Sequence, residues 1–296
     1  MRRYLSMLAL SLGMAVTTPL PASALEIAVS PARFELDLDS KRKTQTLEIV
    51  NSADHPVEIG IDMANFDLDE NNQLRVLPPT EQSLDQWIAI NPTRVKIPAK
   101  GRRTMRFAIR PQVEPQPGEH RAVIFLNEEK SGEAEDGLRF KFRLGVVVYG
   151  QVGEANRTAQ LHNVGSNQRG MTLDVQTTGN AHARFKGIYA VWNAASYPGD
   201  AAAAAMLQGI QDSRKISEDV IAPGSLAAGV VSETPVLPGT RRTVVQELPD
   251  AAKAGQRKVY LLGKLGDSPI SAAALIVPEA LLPISGIKTP KQLFVA

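Results

Sequence analysis

Along this chain, apolar and polar positions alternate in short runs separated by Gly, Pro, Asn and Asp. That is the pattern of β-strands with two unlike faces. The clearest stretch is 117–150, PGEHRAVIFLNEEKSGEAEDGLRFKFRLGVVVYG. It predicts a strand over 120–127, in which Ala122, Ile124 and Leu126 alternate with Arg121, Val123 and Phe125. A short polar loop follows over 128–137, then a second strand over 138–149. In that second strand Leu138, Phe140, Phe142 and Leu144 share one face, and Arg139, Lys141 and Arg143 the other. At Val146-Val147-Val148-Tyr149 the alternation gives way to a continuous apolar run, as in a strand covered on both faces.

The preceding segments read the same way. Residues 26–38 predict one strand, with Phe34, Leu36 and Leu38 on one face and Arg33, Glu35 and Asp37 on the other. Further strands are predicted over 44–50, 57–66, 84–97 (interrupted at Asn91-Pro92) and 104–110. Their turn signals are spaced as in an immunoglobulin-like sandwich. Residues 151–156 read as a linker, and a second series of strands follows over 159–163, 171–177, 183–192, 215–221, 241–246, 257–265 and 271–277. The Ala-rich run 201–211 has helical propensity and predicts a short inserted helix, with a loop as the alternative. The expected organisation is all-β. An N-terminal sandwich spans 25–150, a second sandwich 151–280, and a tail 281–296.

Residues 1–24 carry a different pattern. Arg2 and Arg3 precede an apolar run over 5–16, and Ala22-Ser23-Ala24 offers small residues for cleavage. This is the layout of a cleavable secretion signal, and its apolar part is shorter than the ~20 residues that span a bilayer. The expected mature protein is exported, starts at Leu25, and does not insert in a membrane. Without Arg2 and Arg3 the formal charge of +2 falls to zero, which argues against general nucleic-acid binding. The chain has no cysteine, so an exported protein here relies on its apolar cores and not on disulfides.

Candidate chemistry is sparse. The turn DLDENNQ (67–73) begins like a calcium loop, but Asn72 stands where glycine is needed and Pro78 where the closing Glu belongs. It reads as a hairpin turn. The four histidines, His55, His120, His162 and His182, have no metal-ligand spacing. His120 reads as a solvated turn residue, and Glu128-Glu129 as part of a solvated loop. No nucleophile elbow, phosphate loop or dinucleotide fingerprint occurs. The expectation is no enzyme, no cofactor and no metal.

The signal segment, the strand SPARFEL, the corner PQVEPQPGEHRAVIFLNE and the apolar strand after it form a combination. It resembles the PapD-like periplasmic pilus-assembly chaperones. PGEHRAVIFLNE (117–128) is similar to the family's strand F pattern, and WIAINPTRVKIPAKGRRTMRFAI (87–109) to the region preceding it. In the second half only GNAHARF (179–185) and VLPGTRR (236–242) are similar. The resemblance implies two immunoglobulin-like domains in a boomerang with a cleft between them. It implies a periplasmic chaperone that lends a β-strand to fimbrial subunits and delivers them to an outer-membrane usher. Arg33 stands at the position of the family arginine that holds a subunit's terminal carboxylate; the alternative reading is a solvated strand arginine paired with Glu35 or Asp37. The companion lysine is missing. Matching strand ends puts Gly145 or Val146 there, with Arg143 or Lys141 as substitutes after a shift. The implied donor residues are Leu138, Phe140, Phe142 and Leu144. A second reading remains open: an exported structural or adhesive sandwich protein that belongs to a surface assembly itself. A chaperone needs an exposed apolar edge beside a cationic cleft, whereas a self-sufficient sandwich blunts its edges.

Overall fold

A computed structural model describes residues 26–41, 44–130, 142–212 and 222–277. The expected secretion signal, the residues Leu138, Phe140 and Lys141, the strand expected over 215–221 and the tail from 281 lie outside the described residues.

The fold is all-β, built as two sandwiches. In the first, strands β1 (Ile27–Ser30), β3 (Thr44–Asn51), β8 (Arg102–Ile109) and β6 (Ile88–Ile90) form one sheet in the order β1-β3-β8-β6. The facing sheet has the order β2-β10-β9-β4-β5, from β2 (Arg33–Asp37), β10 (Arg143–Val152), β9 (Gly118–Lys130), β4 (Val57–Leu68) and β5 (Leu74–Leu77). Strand β7 (Arg94–Ile97) also pairs with β4. The segment expected as one strand over 26–38 is therefore two. It breaks at Pro31, which carries no backbone N–H, and the chain crosses from one sheet to the other there. The segment 84–97 divides in the same way at Asn91-Pro92, with β6 and β7 in different sheets.

The alternation identifies the core of this sandwich. Phe34 and Leu38 of β2 and its continuation, Ile59 and Ile61 of β4, Ala122, Ile124 and Leu126 of β9, and Val146 and Val148 of β10 all point inward. They meet Leu47, Ile49, Met105, Phe107 and Ile109 of the other sheet. Phe34 and Phe107 pack edge to face at 5.0 Å between ring centroids. The turn 67–73 is a hairpin between β4 and β5, in which the Asp69 carboxylate accepts the N–H groups of Asn71 and Gln73 at 2.9 and 2.8 Å.

The second sandwich pairs a sheet β11-β12-β15, from β11 (Ala159–Asn167), β12 (Gly170–Thr177) and β15 (Arg241–Glu247), with a sheet β14-β13-β16-β17. The latter contains β14 (Ala227–Val230), β13 (Phe185–Asn193), β16 (Arg257–Leu265) and β17 (Ser268–Ile276). Its core joins Met171, Leu173 and Val175 to Phe185, Val191, Val259 and Leu261. Strand β14 has the sequence AAGV, too small and too short to show a period, and sequence alone misses it. The inserted helix forms as α1 (Asp200–Asp212). Its Ala203 and Leu207 cover Ile188, Ala190, Trp192 and Tyr260 on the outer face of that sheet.

Strand β10 runs two residues into the expected linker because the backbone of Gln151 still has a partner: its carbonyl accepts the Leu38 N–H at 2.8 Å. The connection after it is tied at both ends. Asp39 accepts the N–H of Gly153 at 2.7 Å, and Asp267 accepts that of Arg157 at 3.0 Å.

The outer face of the second sheet of the first sandwich explains the apolar run of β10. Phe66 and Leu68 of β4, Val123 and Phe125 of β9, and Val147 and Tyr149 of β10 form an outward cluster. Leu237 of the second sandwich closes it and is fully buried. Leu237 belongs to VLPGTRR, whose Gly239 takes φ +68° to make the tight turn that presents it. Arg242 of the same motif donates to the carbonyls of Leu68 and Asp69, both at 2.6 Å. Val147 therefore does not lie in the sandwich core as its neighbours do. The sequence becomes apolar on both sides where the second sandwich begins to cover the sheet.

Leu237→Ala should cost about 2–5 kcal/mol at this contact, the range for truncating a buried Leu. Proteolysis should then cut the 153–158 connection faster than in the wild type. Unchanged cutting with unchanged stability would show that the contact does not join the halves.

Candidate functional site

The polar and charged residues at the junction come from both halves. Arg33 and Glu35 project from the outward face of β2, Glu119 and Arg121 from β9, and Tyr149 from β10. The turn 178–184 supplies His182 and Arg184, the connection supplies Arg157, and the loop before VLPGTRR supplies Glu233.

The most enclosed contact is Glu119 with His182. Both side chains are 2% exposed, and the Glu119 Oε2 lies 2.5 Å from Nδ1 of His182. The same oxygen accepts the His182 backbone N–H at 2.8 Å, and the Glu119 backbone N–H donates to the Asn180 carbonyl at 3.1 Å. Burial alone would raise the Glu119 carboxyl. The hydrogen bond and charge of His182, its backbone N–H, and Arg121 at 3.3 Å outweigh burial and hold the group below its ordinary value of 4.5. The His182 ring lies 4.1 Å from that of Tyr149. Burial raises the Tyr149 phenol above its usual range, and burial lowers the Arg184 guanidinium below its own.

Glu35 is the hub on the more open side. Its oxygens lie 3.4 Å from Arg33, 3.6 Å from His182, and 3.9 Å from both Arg157 and Arg184. Arg33 also reaches Glu233 of the second sandwich at 3.5 Å. A cleft of about 410 Å³ opens beside this network, lined by Glu35, Asp37, Glu119, Tyr149, Arg157 and His182 among others.

Strand β10 carries the second part of the site. It pairs with β9 along its whole length, from Arg143↔Asn127 to Val152↔Gly118. It pairs with β2 only from Val147, which stands opposite Arg33 in parallel register. Among the described residues no strand lies on the β2 side of residues 143–146. The Phe142 carbonyl accepts the Glu128 N–H, and the Val147 N–H donates to the Ala32 carbonyl. Successive residues of a strand direct their backbone groups to opposite sides, so Arg143 and Gly145 offer N–H and C=O to the open side. Among the described residues this is a short, unpaired edge that ends where β2 begins at Arg33.

The expected site residues are placed as follows. Arg33 is off the core, two-fifths exposed, and already paired with two carboxylates. The residue across from it is Val147, neither Gly145 nor Val146. Arg143 shares the outward face with Val147 but lies four residues, roughly 13 Å, away along the strand. Its guanidinium sits 3.5 Å over the Phe125 ring. Phe142 and Leu144 are half-buried at the end of the sandwich core, on the same face as Val146 and Val148. Leu138, Phe140 and Lys141 fall outside the described residues.

Two sequence expectations are corrected. His120 is not a solvated turn residue, because strand β9 begins before it. Its ring packs against Trp87 with centroids 4.7 Å apart and planes tilted by 47°, with Nδ1 2.7 Å from the Gln82 carbonyl and Nε2 2.8 Å from that of Gln116. Glu128 and Glu129 belong to β9 and not to a loop: Glu128 is buried, and Glu129 holds Arg94 at 2.5 Å. The Glu119–His182 contact escaped sequence reasoning entirely. The only available signal was that GNAHARF places a histidine directly after a turn.

No family model matches the chain, and no curated protein matches it. Among solved structures it is similar to the YadV chaperone, at 11% identity over 85% of this chain and all of that one, TM-score 0.43. It is similar to the class 5 fimbriae chaperone CfaA, at 12% identity over 86% of this chain and all of that one, TM-score 0.43. It is also similar to a chain of the CsuC–CsuE chaperone–tip adhesion subunit complex of Acinetobacter baumannii, at 13% identity over 86% of this chain and 99% of that one, TM-score 0.43.

The Glu119 contact sets an acid limit. A carboxyl held below its free value adds stability that is complete above that value and is lost as pH falls through the folded-state value. The thermal midpoint of the wild type should therefore fall more steeply below a pH of 4.5 than that of Glu119→Gln. Parallel curves would show that the buried pair does not govern acid stability.

Proposed function

We propose that this chain is a periplasmic assembly chaperone that captures fimbrial subunits by β-strand pairing and passes them to an outer-membrane usher. The observation that carries this reading is the open edge of β10 over residues 143–146, which ends at Arg33. An edge with unpaired backbone groups is a template for an added strand, and chaperone–pilin pairing is one known case of that recognition mode.

In this mechanism a subunit's strand lies along β10 in line with β2. The backbone of Arg143 and Gly145 bonds to it and sets its register. Each hydrogen bond contributes a net ~0.5–1.5 kcal/mol and discriminates little between sequences. Leu144 and Phe142 continue the apolar face of the core toward the subunit. The strand's terminal carboxylate arrives at Arg33, which can hold it by a charge-assisted, bidentate pair. Arg143 keeps the outward face of this segment cationic. No cofactor or metal takes part. The residues after the secretion signal work in the periplasm and do not enter the membrane.

The test is capture of a fimbrial subunit co-produced in the periplasm. Gly145→Pro removes an N–H from the open edge, where proline is tolerated, and fills the space an added strand needs. Gly145→Ala adds the same Cβ, 3.1 Å from Val123, but keeps the N–H. The proline variant should fold and lose the subunit, while the alanine variant keeps it. Equal capture by both would overturn the strand-addition reading. Arg33→Ala should likewise fold normally and capture at least tenfold less subunit, since an exposed ion pair contributes at most about 1 kcal/mol to the fold. Normal capture by Arg33→Ala would remove the carboxylate anchor from the mechanism.

A further inference from the structure

Arg33 stands at the end of the open edge, yet its guanidinium is not vacant. Nη2 lies 3.5 Å from Glu233 Oε2, and Nε 3.4 Å from Glu35 Oε1. Glu35 belongs to the same strand and has three further basic neighbours. Glu233 comes from the other sandwich and makes no other ion pair among the described residues.

Its position is built, not incidental. Arg184, whose side chain is 7% exposed, donates from Nη1 to the Glu233 backbone carbonyl at 2.6 Å. On one side of Glu233, the Val231 N–H donates to the Gly187 carbonyl at 2.9 Å and the Ser232 N–H to Gln246 Oε1 at 2.7 Å. On the other, Val236 and Ala183 form a two-way backbone bridge at 2.8 and 3.0 Å. The backbone is therefore fixed, while the Glu233 carboxylate is 45% exposed and directed at Arg33. Such a contact is held in place but weak in itself, since exposed ion pairs contribute about 0–1 kcal/mol.

We propose that Glu233 is an internal placeholder for the carboxylate that Arg33 binds. This rests on the strand-addition reading and deepens it. In the free chain Glu233 shares the Arg33 guanidinium and keeps it oriented toward the end of the open edge. An incoming strand brings its own terminal carboxylate and displaces Glu233, which turns to solvent without moving its backbone. The exchange of one carboxylate for another makes capture cheaper to reverse at handover than binding to a bare arginine. A strand that ends in a neutral group does not compete for the guanidinium and leaves Glu233 in place, so Arg33 adds nothing to its capture.

The probe is a short synthetic strand peptide of alternating Val and Thr, prepared with a free terminal carboxylate and as its amide. Both are titrated calorimetrically against the full mature chain. Glu233→Gln keeps the size of the side chain and removes its charge. It should tighten the acid peptide by about two- to fivefold, the factor that corresponds to an exposed pair, and leave the amide unchanged. Arg33→Ala should bind acid and amide alike. Equal effects of Glu233→Gln on both peptides would reduce Glu233 to a structural contact and overturn the proposal, as would no effect on either. Failure of both peptides to bind any variant would also overturn it, while the strand-addition reading stands or falls separately on the comparison of Gly145→Pro with Gly145→Ala.

Discussion

A carboxylate cannot be buried without compensation, and Glu119 is buried between the two sandwiches. Its compensation comes from the other half of the chain, through the ring and the backbone N–H of His182. Neither partner satisfies its environment alone. The halves are therefore held in one relation by a polar contact that tolerates little displacement, and the apolar plug of Leu237 and the two carbonyl bonds of Arg242 stand on the same interface. Removing one member of such a contact leaves the other uncompensated, which costs more than the contact itself contributes.

That relation positions the candidate site. Arg33 and Glu35 lie on the strand that begins where the free edge of β10 ends. The second sandwich reaches this point with Arg184 and Glu233. The edge and Arg33 thus belong to the first sandwich, whereas the Glu233 carboxylate facing Arg33 is delivered by the second. A small change in the angle between the halves would move the Glu233 carboxylate relative to Arg33 without touching the edge.

Much of the fold was legible from period-2 alternation. The parity of Phe34, Ile59, Ile124 and Val146 assigns each to the core it occupies. Arg33 was readable as an off-core residue for the same reason. The misreadings have physical causes. One alternating pattern continued through Pro31 although the chain changes sheets there, because each half keeps its own inward face. The apolar run at Val146 to Tyr149 announced a strand covered on both sides, but only the structure shows that the second cover is Leu237, ninety residues away. His182 lies 63 residues from Glu119, and a contact at that separation leaves no local signal. Strand β14, made of Ala, Gly and Val, has too little side chain to declare a face.

The central claim is that β10 keeps an open edge for a partner strand, and amide hydrogen exchange tests it most directly. In the free chain the amides of Val146 and Val148, on the β9 side, should be protected. Those of Arg143 and Gly145 should exchange rapidly. A bound fimbrial subunit should slow Arg143 and Gly145 and leave the other two as they were. Protection of Arg143 and Gly145 in the free chain, or no change in them on binding, would contradict the account.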